Sequence, residues 1–500
     1  MSVNPIEYVK TRKDDSVVDE YFGHKVADPY RWLEDDRSEE TGKWITAQNN
    51  TTQSFLQQIP FTGKLVTQLK DAWNYERYGS PTTEGNYVYW FKNDGLQNQS
   101  VLYRKKVGDE QGATTEIFLD PNTWSEKGTS SLATLEFTED GSLCVYYISH
   151  AGSDLRVARF LNCETKEQIE PEELRNIKFS GASWYKNEGV FYSKYLHAEG
   201  DSVLTAKTDS HRVFYHKLGS KQSDDVLIFG HLPDQKRRYV FGTVTDDNQY
   251  LVVTAAESTS GNELYVKKLT PENVSDDQGF VPLINSFEHD FDMVDELDGQ
   301  LYVITNHNAS NKKLLKLSIE DFLKFQATPP ADYSAHFMKY PEFYTEIIPE
   351  VDDAVLEVTR AGKYFIANYS RVALSAPVQF TMNGEKVRDI QLPTAGTCGG
   401  FSEKRKATEA YYSFTSYINP NTIYKFDLET GVSTVHFAPK VNIEGMDKFV
   451  SKRVFYPSKD GTQVPMIITY HPDKVDLSTG LNPLQLYAYG GFNISLSPAF

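Results

Sequence analysis

One short element recurs along this chain and restricts the fold more than any other feature. It is a turn dipeptide, one spacer residue, then an aromatic residue or leucine that opens an apolar run. It occurs as Glu84-Gly-Asn-Tyr87, Asp140-Gly-Ser-Leu143, Glu188-Gly-Val-Phe191, Asp247-Asn-Gln-Tyr250, Asp298-Gly-Gln-Leu301 and Ala361-Gly-Lys-Tyr364, with a degenerate copy at Thr408-Glu-Ala-Tyr411. Successive copies are 56, 48, 59, 51, 63 and 47 residues apart, a mean of 54. Acidic-glycine turns followed by apolar runs are hairpin signals. Four short strands with their connections need about that many residues, so the spacing predicts one propeller blade per copy and a seven-bladed ring. The copies lack WD and kelch signatures, so they give architecture and not function.

The ring does not use the whole chain. Residues 1–75 predict a helical segment: Ser38 caps a run carrying Trp44, Ala47 and Thr51 at helical spacing, and a second helix is expected near 64–73. The propeller is expected over 76–443. From 444 the texture changes to a hairpin (Lys452-Arg-Val-Phe-Tyr-Pro, a Lys459-Asp-Gly-Thr turn, Val464-Pro-Met-Ile-Ile-Thr-Tyr). A further strand, Asn482-Pro-Leu-Gln-Leu-Tyr-Ala-Tyr489, is expected to run into Gly490-Gly491-Phe492. An apolar strand closing on paired glycines suits the start of an α/β-hydrolase sheet, where a backbone without Cβ atoms approaches a tetrahedral oxyanion. The expected fold is a seven-bladed β-propeller inserted in an α/β-hydrolase domain, of which 444–500 is only the beginning.

Composition excludes several functions. The net charge is −18, with acidic residues spread along the chain, which opposes binding to nucleic acid or anionic membrane. Such a field favours cationic or neutral substrates, although its simplest meaning is solubility. The start of the chain lacks an apolar signal core, and no run approaches a membrane span. The three cysteines, Cys144, Cys163 and Cys398, are far apart in sequence and lack metal-site spacing, which points to reduced thiols in a cytoplasmic protein. No metal or cofactor motif occurs, so no cofactor is expected. There is no Gly-x-Ser-x-Gly nucleophile elbow in the 500 residues. His289-Asp290 is expected to serve a local turn and not catalysis.

Three stretches carry a family resemblance: Asp28-Pro-Tyr-Arg-Trp-Leu-Glu-Asp35, Gly95-Leu-Gln-Asn-Gln-Ser-Val-Leu-Tyr103 and Tyr487-Ala-Tyr-Gly-Gly-Phe-Asn-Ile-Ser495. Together they resemble the prolyl oligopeptidase family of serine peptidases, and the chain is similar to its N-terminal two-thirds. The resemblance implies a serine endopeptidase that cleaves short peptides on the carboxyl side of proline. It further implies a propeller that excludes folded proteins, and a monomer acting on proline-containing oligopeptides. Tyr489 then resembles the oxyanion-stabilising hydroxyl, Phe492 part of the proline pocket, Phe179 a propeller residue reaching an outer subsite, and Asp154 a propeller acid at the domain interface. Thr259 and Ala256 depart from a cysteine and an arginine of mammalian members, which puts the outer subsites in question. The catalytic Ser, Asp and His would lie beyond Phe500, so the 500 residues are expected to be a fragment of an active enzyme. Two alternatives remain open at this point: an oligopeptidase specific for basic residues, or a non-catalytic peptide-binding propeller if the chain truly ends at Phe500.

Overall fold

The computed structural model describes residues 6–169, 173–196, 210–230, 237–329, 334–491 and 494–500. The chain divides into two compact units, one of residues 1–74 with 196–208 and one of 75–195 with 209–500.

The smaller unit holds a short hairpin, Val18–Tyr21 with His24–Ala27, and two helices, α1 (Glu39–Leu56) and α2 (Thr62–Trp73). Ser38 caps α1 as expected, its side chain accepting the Thr41 N–H. The aromatic stretch after Asp28 is a 3-10 turn (Arg31–Glu34) tied down by Arg31, which donates to Asp28 and Asp19. Trp32 and Trp44 donate their indole N–H groups to Arg12 O and Thr11 Oγ1. The residues of that stretch therefore fix the segment preceding α1.

The larger unit contains seven antiparallel sheets, each built from consecutive strands: 77–119, 130–178, 182–229, 239–284, 291–348, 355–389 and 397–437. Six copies of the recurring element are the turn entering the second strand of their sheet, and the first, after a short extra strand Thr82–Glu84, enters the third, Tyr87–Asn93. Of these strands Tyr250–Ala256 and Gln300–Thr305 are buried almost throughout. The reason is that neighbouring sheets stack on either side: Tyr250, Val252 and Leu264 of the fourth pack with Phe291, Leu301 and Val303 of the fifth. Apolar burial of this kind is the main stabilising term of a ring without disulfides, and the three cysteines are free. Glycine recurs in the turns because neighbouring turns abut. A Cβ on Gly141 would lie 2.3 Å from Gly85 N, and one on Gly362 would lie 2.3 Å from Ala407 O. The fifth sheet carries an inserted helix, α3 (Ile319–Ala327), before its outer strand.

The first and last sheets share no strand. They meet instead through the Tyr78–Phe437 stack (4.5 Å between ring centroids), Asn421 donating to Tyr78 O at 3.4 Å, and a Lys404–Glu84 ion pair of 2.9 Å.

One expectation is corrected. The hairpin Val450–Pro457/Gln463–Tyr470 forms in continuous register, but residues 482–489 are not a strand. Among the described residues no segment is available to pair with them, and Leu484, Leu486 and Tyr487 are 85, 76 and 72% exposed. Cys144 and Cys163, far apart in sequence, are both buried in one apolar cluster of the first two sheets. Leu161 pairs with Cys144 across the ladder, which brings Cys163 alongside. Among the described residues no helix is long and apolar enough to cross a membrane.

Candidate functional site

The first strand of each sheet lines a central channel. Arg360, on the first strand of the sixth sheet, donates to Asp246 (2.8 Å), just past the first strand of the fourth, and pairs with Asp295 (3.0 Å) on the first strand of the fifth. Arg405, in the turn of the seventh sheet, adds contacts to Asp246 (3.4 Å), Asp295 (3.7 Å) and Glu296 (3.8 Å). These charges gather at the mouth where the recurring turns lie. Lys404 continues the seam to Glu84 and to Glu139 O (2.7 Å). Beside it a cavity of about 450 Å³ is lined by Thr82, Glu84, Phe91, Glu136, Phe137 and Lys404, among others. Burial dominates the acids here: it pushes the Glu296 carboxyl up to about 7. Glu403 is pushed to about 8, with the Glu84 charge adding to burial.

The opposite mouth is formed by the linkers entering each first strand, and two of the expected site residues, Phe179 and Asp154, lie there. Phe179 sits between the last strand of the second sheet and the first of the third, with φ of 52°. That left-handed conformation is strained for a bulky residue. Its ring is half-buried and approaches those of Tyr239 (5.8 Å) and Tyr195 (6.5 Å). Tyr195 donates its hydroxyl to Arg238 O at 2.6 Å and stacks on His211 at 4.3 Å. His211 is the buried keystone. Its Nδ1 accepts the Val240 N–H (2.9 Å), leaving the Nε2 proton to donate to Lys178 O (3.1 Å). Burial pushes its pKa down to about 4, so it works as a neutral imidazole.

Asp154 is exposed in the turn before Leu155, which pairs with Lys178, so Asp154 and Phe179 share one edge of the second sheet. Ala256 pairs with Tyr239, and Thr259 is exposed in the turn that follows. Residues 498–500 rest on the same mouth, with Thr397 donating to Pro498 O (2.8 Å) and Phe500 N–H donating to Thr415 Oγ1 (3.1 Å). Tyr489 is 47% exposed in a segment without ladder partners, and a Cβ on Gly490 would meet nothing within 4 Å. The structure thus brings Phe179 and Asp154 to one edge and leaves Tyr489 apart from them. Phe492 lies outside the described residues.

His289 and Asp290 do not form a pair. Asp290 accepts from Gly261 N–H (2.6 Å) and Asn306, the local turn role expected of it. Among the described residues no group of His, Cys, Asp and Glu is placed to hold a metal. Tyr195, His211 and Tyr239 escape sequence reasoning, because their roles depend on which linkers become neighbours in the ring.

The family described as "Prolyl oligopeptidase, N-terminal beta-propeller domain" matches residues 9–438. Prolyl endopeptidases of Elizabethkingia miricola and Elizabethkingia meningoseptica are 46% and 45% identical over 99% of this chain. The chain spans 66% of the length of each, about two thirds. A structure from a study of two prolyl endopeptidases superposes with a TM-score of 0.83 at 26% identity, covering 99% of this chain and 68% of that one. Prolyl oligopeptidase B of Galerina marginata, bound to a 35mer hydrolysis and macrocyclization substrate, gives a TM-score of 0.82 at 27% identity, covering 100% and 69%.

Proposed function

The chain belongs to the prolyl oligopeptidase family, and on that premise we propose that the protein carrying it is a serine endopeptidase hydrolysing short peptides on the carboxyl side of proline. In this reading residues 76–443 are the propeller and 444–500 the beginning of the α/β-hydrolase domain. The protein is a cytoplasmic monomer with no cofactor.

The observation that carries the reading is the strained Phe179 held against Tyr195 and Tyr239 at the linker mouth. Backbone strain persists where surrounding structure enforces it, and such residues cluster at binding sites. An aromatic wall at a channel mouth suits the apolar parts of an extended peptide. The Arg360/Arg405 seam at the other mouth supports exclusion of folded proteins, because its side chains reach across the channel between sheets. Acyl transfer would use a Ser nucleophile and a His base oriented by Asp, supplied outside these 500 residues. Tyr489 would contribute an oxyanion donor and Phe492 a face of the proline pocket.

The test is Tyr489→Phe in the full-length protein, followed by cleavage of a proline-containing oligopeptide. Loss of one oxyanion donor lowers kcat on the order of 10²-fold. An unchanged kcat removes Tyr489 from this role.

A further inference from the structure

The cavity of about 450 Å³ at the mouth where the recurring turns lie has two chemically different walls. Its floor is apolar. Phe91 of the first sheet and Leu132, Leu135 and Phe137 of the second pack on the core shared by those sheets, yet all four line the cavity and stay only partly buried. Its rim is charged: among the described residues Glu84, Glu136 and Glu139 line it with a single cation, Lys404. Lys404, from the turn of the seventh sheet, is already held by Glu84 (2.9 Å), the Glu139 carboxylate (3.6 Å) and Glu139 O (2.7 Å). Thr82 adds a hydroxyl donor to Glu84 (3.1 Å). Burial holds the Glu84 carboxyl above its ordinary range in spite of that lysine, and the Glu139 charge adds to the effect. Three carboxylates thus share one space with an ammonium that two of them already engage, which leaves the cavity short of positive charge.

Apolar side chains left partly wet and carboxylates left under-neutralised both cost free energy, and one kind of ligand relieves both. We infer that this cavity binds a small primary amine with an apolar body, its ammonium at Glu136 and Glu139 and its body over Phe91, Leu132, Leu135 and Phe137. The volume is that of a small-molecule site, in which an apolar lining supplies contact area and a few convergent polar groups fix orientation. An ammonium carries three donors, so it engages two carboxylates at once, through charge-assisted hydrogen bonds stronger than neutral ones. The same carboxylates turn anions away, and a neutral ligand of similar shape gains only the floor. Lys404 competes at Glu139, but its ion pairs are with Glu84 and Glu139, which leaves Glu136 to the ligand. The acidic field of the whole chain, of net charge −18, draws cations toward the rim at long range.

Isothermal titration calorimetry on the full-length protein tests the site with 4-phenylbutylamine, its neutral counterpart 4-phenylbutanol, its anionic counterpart 4-phenylbutyrate, and butylamine, which lacks the ring. 4-Phenylbutylamine is expected to bind about tenfold more tightly than the alcohol, the size of a charge-assisted hydrogen bond. It should exceed butylamine by about tenfold or more, because the ring supplies most of the apolar burial. The butyrate should bind most weakly of the aromatic probes. The double variant Glu136→Gln, Glu139→Gln changes two exposed positions, so it should fold normally and lose the preference for amine over alcohol. The double variant Glu342→Gln, Glu444→Gln removes the same amount of charge from exposed acids that do not line the cavity, and it should keep that preference. Equal affinities for the amine and the alcohol, or for the amine and butylamine, overturn the site. So does a preference that survives in the cavity variant, one lost equally in the second variant, or the absence of measurable binding. Heat of binding does not depend on cleavage, so failure here leaves the proposed function standing, and failure of proline cleavage leaves this site standing.

Discussion

His211 donates to the carbonyl of Lys178 at 3.1 Å, one residue ahead of the strained Phe179. Through its other nitrogen it accepts the N–H of Val240, one residue past Tyr239. A single neutral imidazole therefore ties together the two linkers that carry the aromatic wall. Sheet packing brings these linkers near each other, and His211 fixes them.

The tie is pH-dependent in a direction that follows from burial. The folded-state pKa of His211 is near 4, below the ordinary histidine value, so the unfolded chain binds the proton more readily. The contribution of His211 is intact above about pH 6.5 and is lost as pH falls through the window down to about 4, amounting to on the order of 3 kcal/mol. Urea unfolding midpoints measured across that window should fall with acidification. In His211→Ala the fall should be shallower, on top of a loss at pH 7 of about 1–3 kcal/mol from the two unsatisfied backbone groups.

Phe179 separates stability from binding. Replacing it with glycine relieves about 1–3 kcal/mol of backbone strain while removing its ring contacts, so thermal unfolding should move little. Peptide affinity should still drop, read as a raised KM in the full-length protein. A large loss of stability with unchanged KM would assign Phe179 a purely structural role.

The seam at the other mouth carries the opposite pH sign. The Glu296 pKa is raised to about 7 by burial, so the folded state holds the proton more tightly than the unfolded one. Its stabilising contribution is complete below the ordinary glutamate range and is lost as pH rises through about 7. Glu296→Gln keeps an acceptor for the Gly299 N–H, which Oε1 accepts at 2.7 Å. It should be nearly neutral at pH 5 and stabilising by about 1 kcal/mol or more at pH 8, as read from urea midpoints.

Arg104 joins the first two sheets. It is 2% exposed, lies between the Tyr87 and Phe118 rings, donates to Cys163 O and pairs with Glu116 at 2.7 Å. Arg104→Ala leaves a buried carbonyl unsatisfied and opens a void, so unfolding free energy should drop by about 2 kcal/mol or more.

The ring was legible because its signal is local. Each copy of the turn element, from Glu84-Gly85 to Thr408-Glu409, needs only its own residues to be recognised, and each leads into an inner strand of its sheet. The same local signal misled at 482–489, since an apolar run reads as a strand although a strand also requires a neighbour. Phe179 and Asp154 were reached through resemblance, whereas their adjacency follows from the Leu155–Lys178 register. His211 gave no sign: a histidine inside an apolar strand acquires its role only when Lys178 and Val240 arrive from separate linkers. The packing of Cys144 and Cys163 into one cluster was hidden for a similar reason, since it depends on ladder register and not on spacing.

The most direct test of the account is the ratio of kcat/KM values of the full-length protein for two oligopeptides that differ only in proline or arginine at the cleaved position. A preference for proline of at least about 10²-fold is predicted, the scale at which a pocket built for one side chain rejects another. Equal or faster cleavage after arginine would contradict the assignment.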